Sequence, residues 1–253
     1  MMKMKRIILT LTGVVLFGFA VHAQSRTAAN PEVHRIRMGV SDCWLIRGES
    51  TVLVDAGMPG KERSFDRQLK RLKVDPKEIS LVVITHGHFD HIGIAGHIRE
   101  HTGALLAIHE SDRPMLEEGR FTLPQGTSPW GRLARKLMLP LTGSMANKLQ
   151  PVKADILLDN QNFSLKEYGL DGQVIYTPGH TMGSMSLLLD NGKAFVGCLA
   201  HNRLPFTLDP RYPIFADYPE LLPHSWAKVM ENGGKQFYPG HGRMFKRLKS
   251  SDR

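Results

Sequence analysis

The chain has 253 residues, 42 % of them hydrophobic, and a formal net charge of +9. Its composition is that of an ordinary globular protein without low-complexity segments, and its length suits one good-sized core or two fused half-domains. The positive excess is spread out, with a mild cluster at Lys246, Arg247, Lys249 and Arg253. We read residues 246–253 as a solvated basic tail. No stripe of basic and aromatic residues accompanies it, so a nucleic-acid groove is excluded.

In chain order, Lys3, Lys5 and Arg6 precede an apolar run from Ile7 to Val21, and Val21-His22-Ala23 follows. The run is short for a membrane span. It reads as a secretory signal peptide over residues 1–23, cut after Ala23, with an N-terminal extension over 24–32. A periplasmic or secreted protein without stable membrane insertion is therefore expected. Asp42 to Ile46 and Thr51 to Val54 read as a hairpin closed by Asp55-Ala56-Gly57. Lys61 to Leu72 reads as a helix ended at Asp75-Pro76, and the β-branched run Leu81 to Ile84 as a buried strand. A helix over Ile92 to His101, a strand over Ala104 to Ile108 and a short helix over Glu110 to Glu118 follow.

Residues 119–150 break this rhythm. Phe121 to Trp130 is rich in Gly, Pro and Ser, and Arg132 to Leu139 reads as helical until Pro140. A long insertion of this kind is either a wall beside a site or a surface excursion. Further strands are expected at Asp155 to Leu158, Asn162 to Leu165, Gln173 to Tyr176, Ser184 to Leu189, Ala194 to Val196 and Gln236 to Tyr238, with a helix over Glu220 to Met230. Asp190-Asn191-Gly192 is a hairpin turn. Two halves of strands followed by helices suggest two mixed sheets with helices outside.

The chemistry concentrates at Thr85-His86-Gly87-His88-Phe89-Asp90-His91, directly after a strand. His86, His88, Asp90 and His91 are zinc-type donors crowded at a strand end, where coordination positions stay open. Pro178-Gly179-His180 and Pro239-Gly240-His241 each present a histidine after a strand and a tight turn. These motifs, with Leu53-Val54-Asp55-Ala56-Gly57, resemble those of the metallo-β-lactamase fold superfamily over residues 33–245, read as one domain. The resemblance implies an α/β fold, an αββα sandwich of two mixed sheets flanked by helices. It implies a first metal site of His86, His88 and His180 and a second of Asp90, His91 and His241, with Zn2+ as cofactor, two ions per chain. Asp90 is also the catalytic candidate. Zinc lowers the pKa of bound water from about 15.7 to about 7, which provides a nucleophile without serine or cysteine. Asp55 is either a residue behind the ligands that holds their geometry or a turn-forming aspartate.

Cys198 departs from the resemblance, since most hydrolases of this superfamily carry a bridging aspartate there. Zinc β-lactamases with a cysteine at the corresponding place lack the histidine equivalent to His91, so this chain mixes two patterns. Three readings compete: a zinc thiolate, with Zn–S of about 2.3 Å; a residue beside the metal; or a disulfide partner of Cys43. We favour ligand or near-ligand, and read Cys43 as a small buried residue. His97 and His101 read as surface or helix-end histidines, His109 and His224 as histidines that follow apolar or Pro-rich stretches and lack partners, His201 as a loop histidine close enough to face the site, and Thr181, Ser184 and Ser186 as strand-start hydroxyls. The segment from His201 to Tyr218, with residues 114–150, is expected to wall the pocket, and Arg203 or Arg211 to bind a substrate carboxylate or lie solvated. The expected function is an exported zinc hydrolase acting on a small ester, lactone, thioester or β-lactam. The alternative is a metal- or ligand-binding module of the same fold with little turnover. Redox di-iron chemistry is disfavoured by the thiol.

Overall fold

The computed structural model describes residues 27–120, 123–146, 148–202 and 211–246. The expected leader, the first three residues of the extension and nearly all of the basic tail lie outside these residues, as does Arg203. Strands β1 (Glu32–Arg37), β2 (Asp42–Arg47), β3 (Thr51–Val54), β4 (Ile79–Val83), β5 (Leu105–His109) and β6 (Ile156–Leu158) form one sheet in sequential order. Its first three strands pair antiparallel and the rest parallel. The second sheet runs β12 (Phe245–Lys246), β11 (Gln236–Gly242), β10 (Lys193–Asn202), β9 (Met185–Leu189), β8 (Gly172–Tyr176) and β7 (Phe163–Ser164). In it only the β10–β11 pair is parallel.

Strand alternation builds the layers. In β4, Leu81 and Val83 point into the space between the sheets, while Val82 packs with the outer helices. Successive side chains leave opposite faces of a strand, so a strand apolar throughout must be covered on both sides. Leu81, Val83, Trp44 and Ile46 meet Val174, Leu187, Leu189 and Phe195 of the second sheet. Outside the first sheet, α1 (Glu62–Leu72) and α3 (Ala95–Thr102) bury Phe65, Leu69 and Ile98. Outside the second, α6 (Leu222–Glu231) buries Leu222, Trp226 and Val229 against Ile175, Leu188, Ala194 and Phe237. The result is the expected αββα sandwich. Each fully buried aliphatic side chain contributes about 1.5–3 kcal/mol of apolar burial.

Three local expectations are corrected. The helix expected from Ile92 to His101 is two pieces, α2 (Phe89–Ile92) and α3, broken at Gly93, whose N–H donates to the Gly57 carbonyl at 2.7 Å. After α4 (Arg113–Glu118), α5 (Pro129–Ala146) runs through Pro140 rather than stopping there. The ring removes one backbone hydrogen bond, and α5 is exposed from Lys136 to Pro140, where water can replace it. Strand β10 extends well beyond Val196, through Cys198 to Asn202. Among the described residues no helix is long and apolar enough to cross a membrane.

Candidate metal centre

The site lies where β3, β4, β8, β10 and β11 end. Asp55, just after β3, adopts φ 64°, a left-handed conformation that Asp tolerates better than most residues. This backbone turns its carboxyl group toward the next strand end. It accepts from the Thr85 N–H at 2.8 Å and the Thr85 hydroxyl at 2.9 Å, and meets His91 Nδ1 at 2.8 Å. Both readings of Asp55 therefore hold: it makes the turn and it orients a histidine. Asp112, which the sequence did not single out, ties two motif loops together. Its carboxyl group accepts from the Gly87 N–H at 2.8 Å, the Thr181 hydroxyl at 2.7 Å and the Gly183 N–H at 3.1 Å. The hydroxyls of Thr181 and Ser184 serve this loop, as expected of strand-start hydroxyls.

His86, His88 and His180 are buried with ring centroids 4.6 to 4.8 Å apart. His180 Nδ1 donates to the Phe215 carbonyl at 2.8 Å, which leaves Nε2 as the bare acceptor, 2.9 Å from His88 Nδ1. Asp90, His91 and His241 form the adjoining group, with His241 Nε2 3.3 Å from both Asp90 Oδ2 and His91 Nε2. His241 Nδ1 donates to the Val40 carbonyl at 2.9 Å. In each group a hydrogen bond at one ring nitrogen aims the other inward, the arrangement that fixes a metal-ligating tautomer. Gly240 permits this approach, because a Cβ there would lie 2.4 Å from His91 Cε1.

Cys198 and Cys43 are both free and buried, so the disulfide alternative is overturned. The Cys198 thiol sits 3.3 Å from His91 Nε2, and donor atoms of His86, His91 and Cys198 lie within 4.8 Å of one another. His201 corrects the sequence reading: it is no loop histidine but a buried residue of β10, grouped with His180 and Cys198 within the same 4.8 Å. Among the described residues, the buried Nε2 atoms of His86 and His88 and both ring nitrogens of His201 lack hydrogen-bond partners. Buried nitrogens left bare cost about 1–3 kcal/mol each. A divalent ion would satisfy such lone pairs, and the donor set of imidazole, carboxylate and thiol suits zinc.

Burial penalises every charge here, and the neighbours decide the outcome. Burial pushes the Cys198 thiol up, but His91, His241, His180 and His86 draw it well below its ordinary value. Burial lowers His91 and His241, yet Cys198 and the carboxyl groups of Asp55 and Asp90 raise His91 well above normal, and Cys198 and Asp90 raise His241 to about 10. Burial raises Asp90, while His91 and His241 hold it below the usual carboxylate range. His86 and His88 are lowered, first by burial and then by neighbouring histidines, and burial draws His201 down to about 4.

A cavity of about 150 Å³ opens onto His88, Asp90, His180, Cys198, His201 and His241. Leu123, Pro124 and Met138 from the 119–150 insertion, with Ile214 and Phe215, form its apolar wall. The two segments are joined by backbone: the Thr127 N–H donates to the Ile214 carbonyl at 3.0 Å and the Ala216 N–H to the Gln125 carbonyl at 2.9 Å. The expectation that both segments wall the pocket is met. Arg211 is not among the lining residues, and its carbonyl accepts from Trp226 Nε1 at 3.0 Å. His109, read as lacking partners, meets Asn160 Oδ1 at 3.0 Å and stacks on Tyr176. His97 and His101 form a surface cluster with Asp66 of α1, and His224 is exposed on α6.

Residues 36–244 match the family model described as the metallo-beta-lactamase superfamily. The chain belongs to that superfamily. A probable metallo-hydrolase from Methanocaldococcus jannaschii is 30 % identical over 151 residues, covering 60 % of this chain and 63 % of the relative. Another from Bacillus subtilis is 29 % identical over 175 residues, covering 65 % and 62 %. This chain thus spans less than two thirds of either relative. Among solved structures, the BLEG-1 B3 metallo-beta-lactamase superposes with a TM-score of 0.62 at 22 % identity, covering 85 % of this chain and 94 % of that one. An archaeal metallo-beta-lactamase superfamily protein from Sulfolobus tokodaii gives 0.60 at 23 % identity, covering 87 % and 82 %. At these identities the likeness shows the superfamily fold alone.

Proposed function

We propose that the chain is a zinc-dependent hydrolase that binds two ions and attacks a small ester, lactone, thioester or β-lactam with water. The observation that supports this most is the convergence of His86, His88, His180, Asp90, His91, Cys198 and His241 into adjoining donor groups, with His88, Asp90, His180, Cys198 and His241 lining one cavity and bare buried nitrogens among them. His86, His88 and His180 would hold one ion; Asp90, His91, His241 and Cys198 would hold the other. Zinc bound there supplies Lewis acidity and makes water available as a nucleophile near neutral pH. Asp90 is ionised at neutral pH, and its carboxylate faces the cavity, placed to accept a hydrogen bond from the attacking water and orient it. Asp55 and the Val40 and Phe215 carbonyls hold the imidazoles in position. The apolar wall of Leu123, Pro124, Met138, Ile214 and Phe215 favours an uncharged, apolar acyl portion and keeps bulk water from it.

The test is hydrolysis of a panel of esters, lactones, thioesters and β-lactams by zinc-loaded protein, before and after chelation. Turnover of at least one class, abolished by chelator and restored by zinc, supports the reading. Stoichiometric zinc without turnover on any class would favour a binding module instead. We further propose export, with a mature protein that starts at Gln24; an intact N-terminal Met1 in the mature protein's mass spectrum would contradict it.

A further inference from the structure

Strand β10 does something a regular strand cannot. Cys198 and His201 are three residues apart, so strict alternation would send them to opposite faces. Both face the cavity. Leu199 and Ala200 between them turn the other way together, into the outer layer with Leu222 and Trp226. The ladder shows how: Gly197 pairs with Pro239 and His201 with His241, so four steps along β10 match two along β11. Such an irregularity re-aims side chains at the cost of ladder hydrogen bonds. Gly197 begins it at φ 50°, where a Cβ would lie 2.5 Å from the Thr85 hydroxyl oxygen.

The imidazole delivered this way is 2 % exposed, and among the described residues neither nitrogen meets an oxygen or nitrogen partner; the group it interacts with is the Cys198 thiol. Its ring lies 4.9 Å from that of His241 and 6.0 Å from that of His180, centroid to centroid. Its donor atom groups within 4.8 Å of those of His180 and Cys198. Neutral imidazoles buried for packing alone almost always find a partner. A substrate contact would not need the thiol donor grouped beside it. We propose that His201 is a metal ligand, paired with Cys198 at the second ion position by the irregularity of β10. This rests on the two-ion reading above and adds one protein donor to it.

The test is cobalt(II) titration of the metal-free full-length chain, read by the d–d bands and the thiolate-to-cobalt charge-transfer band. A His97→Ala background removes binding at the surface cluster of Asp66, His97 and His101. His201→Ala is expected to weaken the position that carries the thiolate band by about tenfold or more, leaving the other position's affinity in place. His201→Cys is expected to restore affinity and increase the thiolate band, an outcome no structural role would give. His201→Gln, close in size and polar, serves if the alanine variant fails to fold, and is expected to show the same weakening. Cobalt affinities and bands unchanged in folded His201→Ala or His201→Gln would overturn the proposal, whether or not hydrolysis falls, because His201 would then act on substrate or on packing. Wild-type chain that binds no cobalt would overturn the two-ion reading and this proposal together.

Discussion

At the scale of single residues, the site depends on groups that make others point correctly. Asp55 is the clearest, since one carboxyl group holds Thr85 and His91. Asn accepts the left-handed backbone nearly as well as Asp, so Asp55→Asn removes the charge with little backbone strain. We expect it to weaken metal binding about 10–100-fold, measured by chelator competition, with the fold intact by circular dichroism. The protonation pattern gives a second expectation. His241, raised to about 10, is protonated at pH 7 without metal; His91 is shifted in the same direction, whereas Cys198 is drawn well below its ordinary value and has less of a proton to give up. Ligand imidazoles must be neutral, so metal uptake at pH 7 must release protons from the histidines. Calorimetry in buffers of different ionisation enthalpy would show proton release; none, or uptake, would contradict this pattern. The ligand motifs were legible in the sequence because so many donors crowd a strand end. Asp112 was not, because it sits in an ordinary helix-forming stretch and its three bonds go to loops far along the chain.

At the scale of elements, turns and irregularities place the donors. Gly240→Ala puts a methyl 2.4 Å from the His91 ring. Moving that ring strains the bond to Asp55, so we expect loss of metal affinity larger than loss of stability, read by chelator competition beside denaturant unfolding. Equal loss of both would show that Gly240 acts on folding alone. Strands β2 to β5 and β8 to β9 were readable from apolar runs and turn residues, because burial on both faces demands continuous hydrophobic sequence. The extension of β10 through His201 was not, since a register shift is a property of two strands and leaves no periodic mark in one. The passage of α5 through Pro140 was hidden for a related reason: proline marks a missing hydrogen bond, and exposure decides whether the helix tolerates it.

At the scale of the whole molecule, two sheets bring loops from both halves of the chain to one cavity, and the packed layer between them sets the distances. Leu81 is fully buried between the sheets. Leu81→Ala is expected to cost about 2–5 kcal/mol in denaturant unfolding, with zinc affinity of the folded state nearly unchanged. Metal bound only to the folded state should add about 2.7 kcal/mol at a free concentration a hundred times its Kd. The most direct measurement is the zinc content of the purified chain after chelation, reloading and dialysis, alongside Cys198→Ala. We expect about two ions per chain in the wild type and a lower content in the variant. A wild-type chain that retains no stoichiometric zinc would contradict the reading of this cavity as a metal centre.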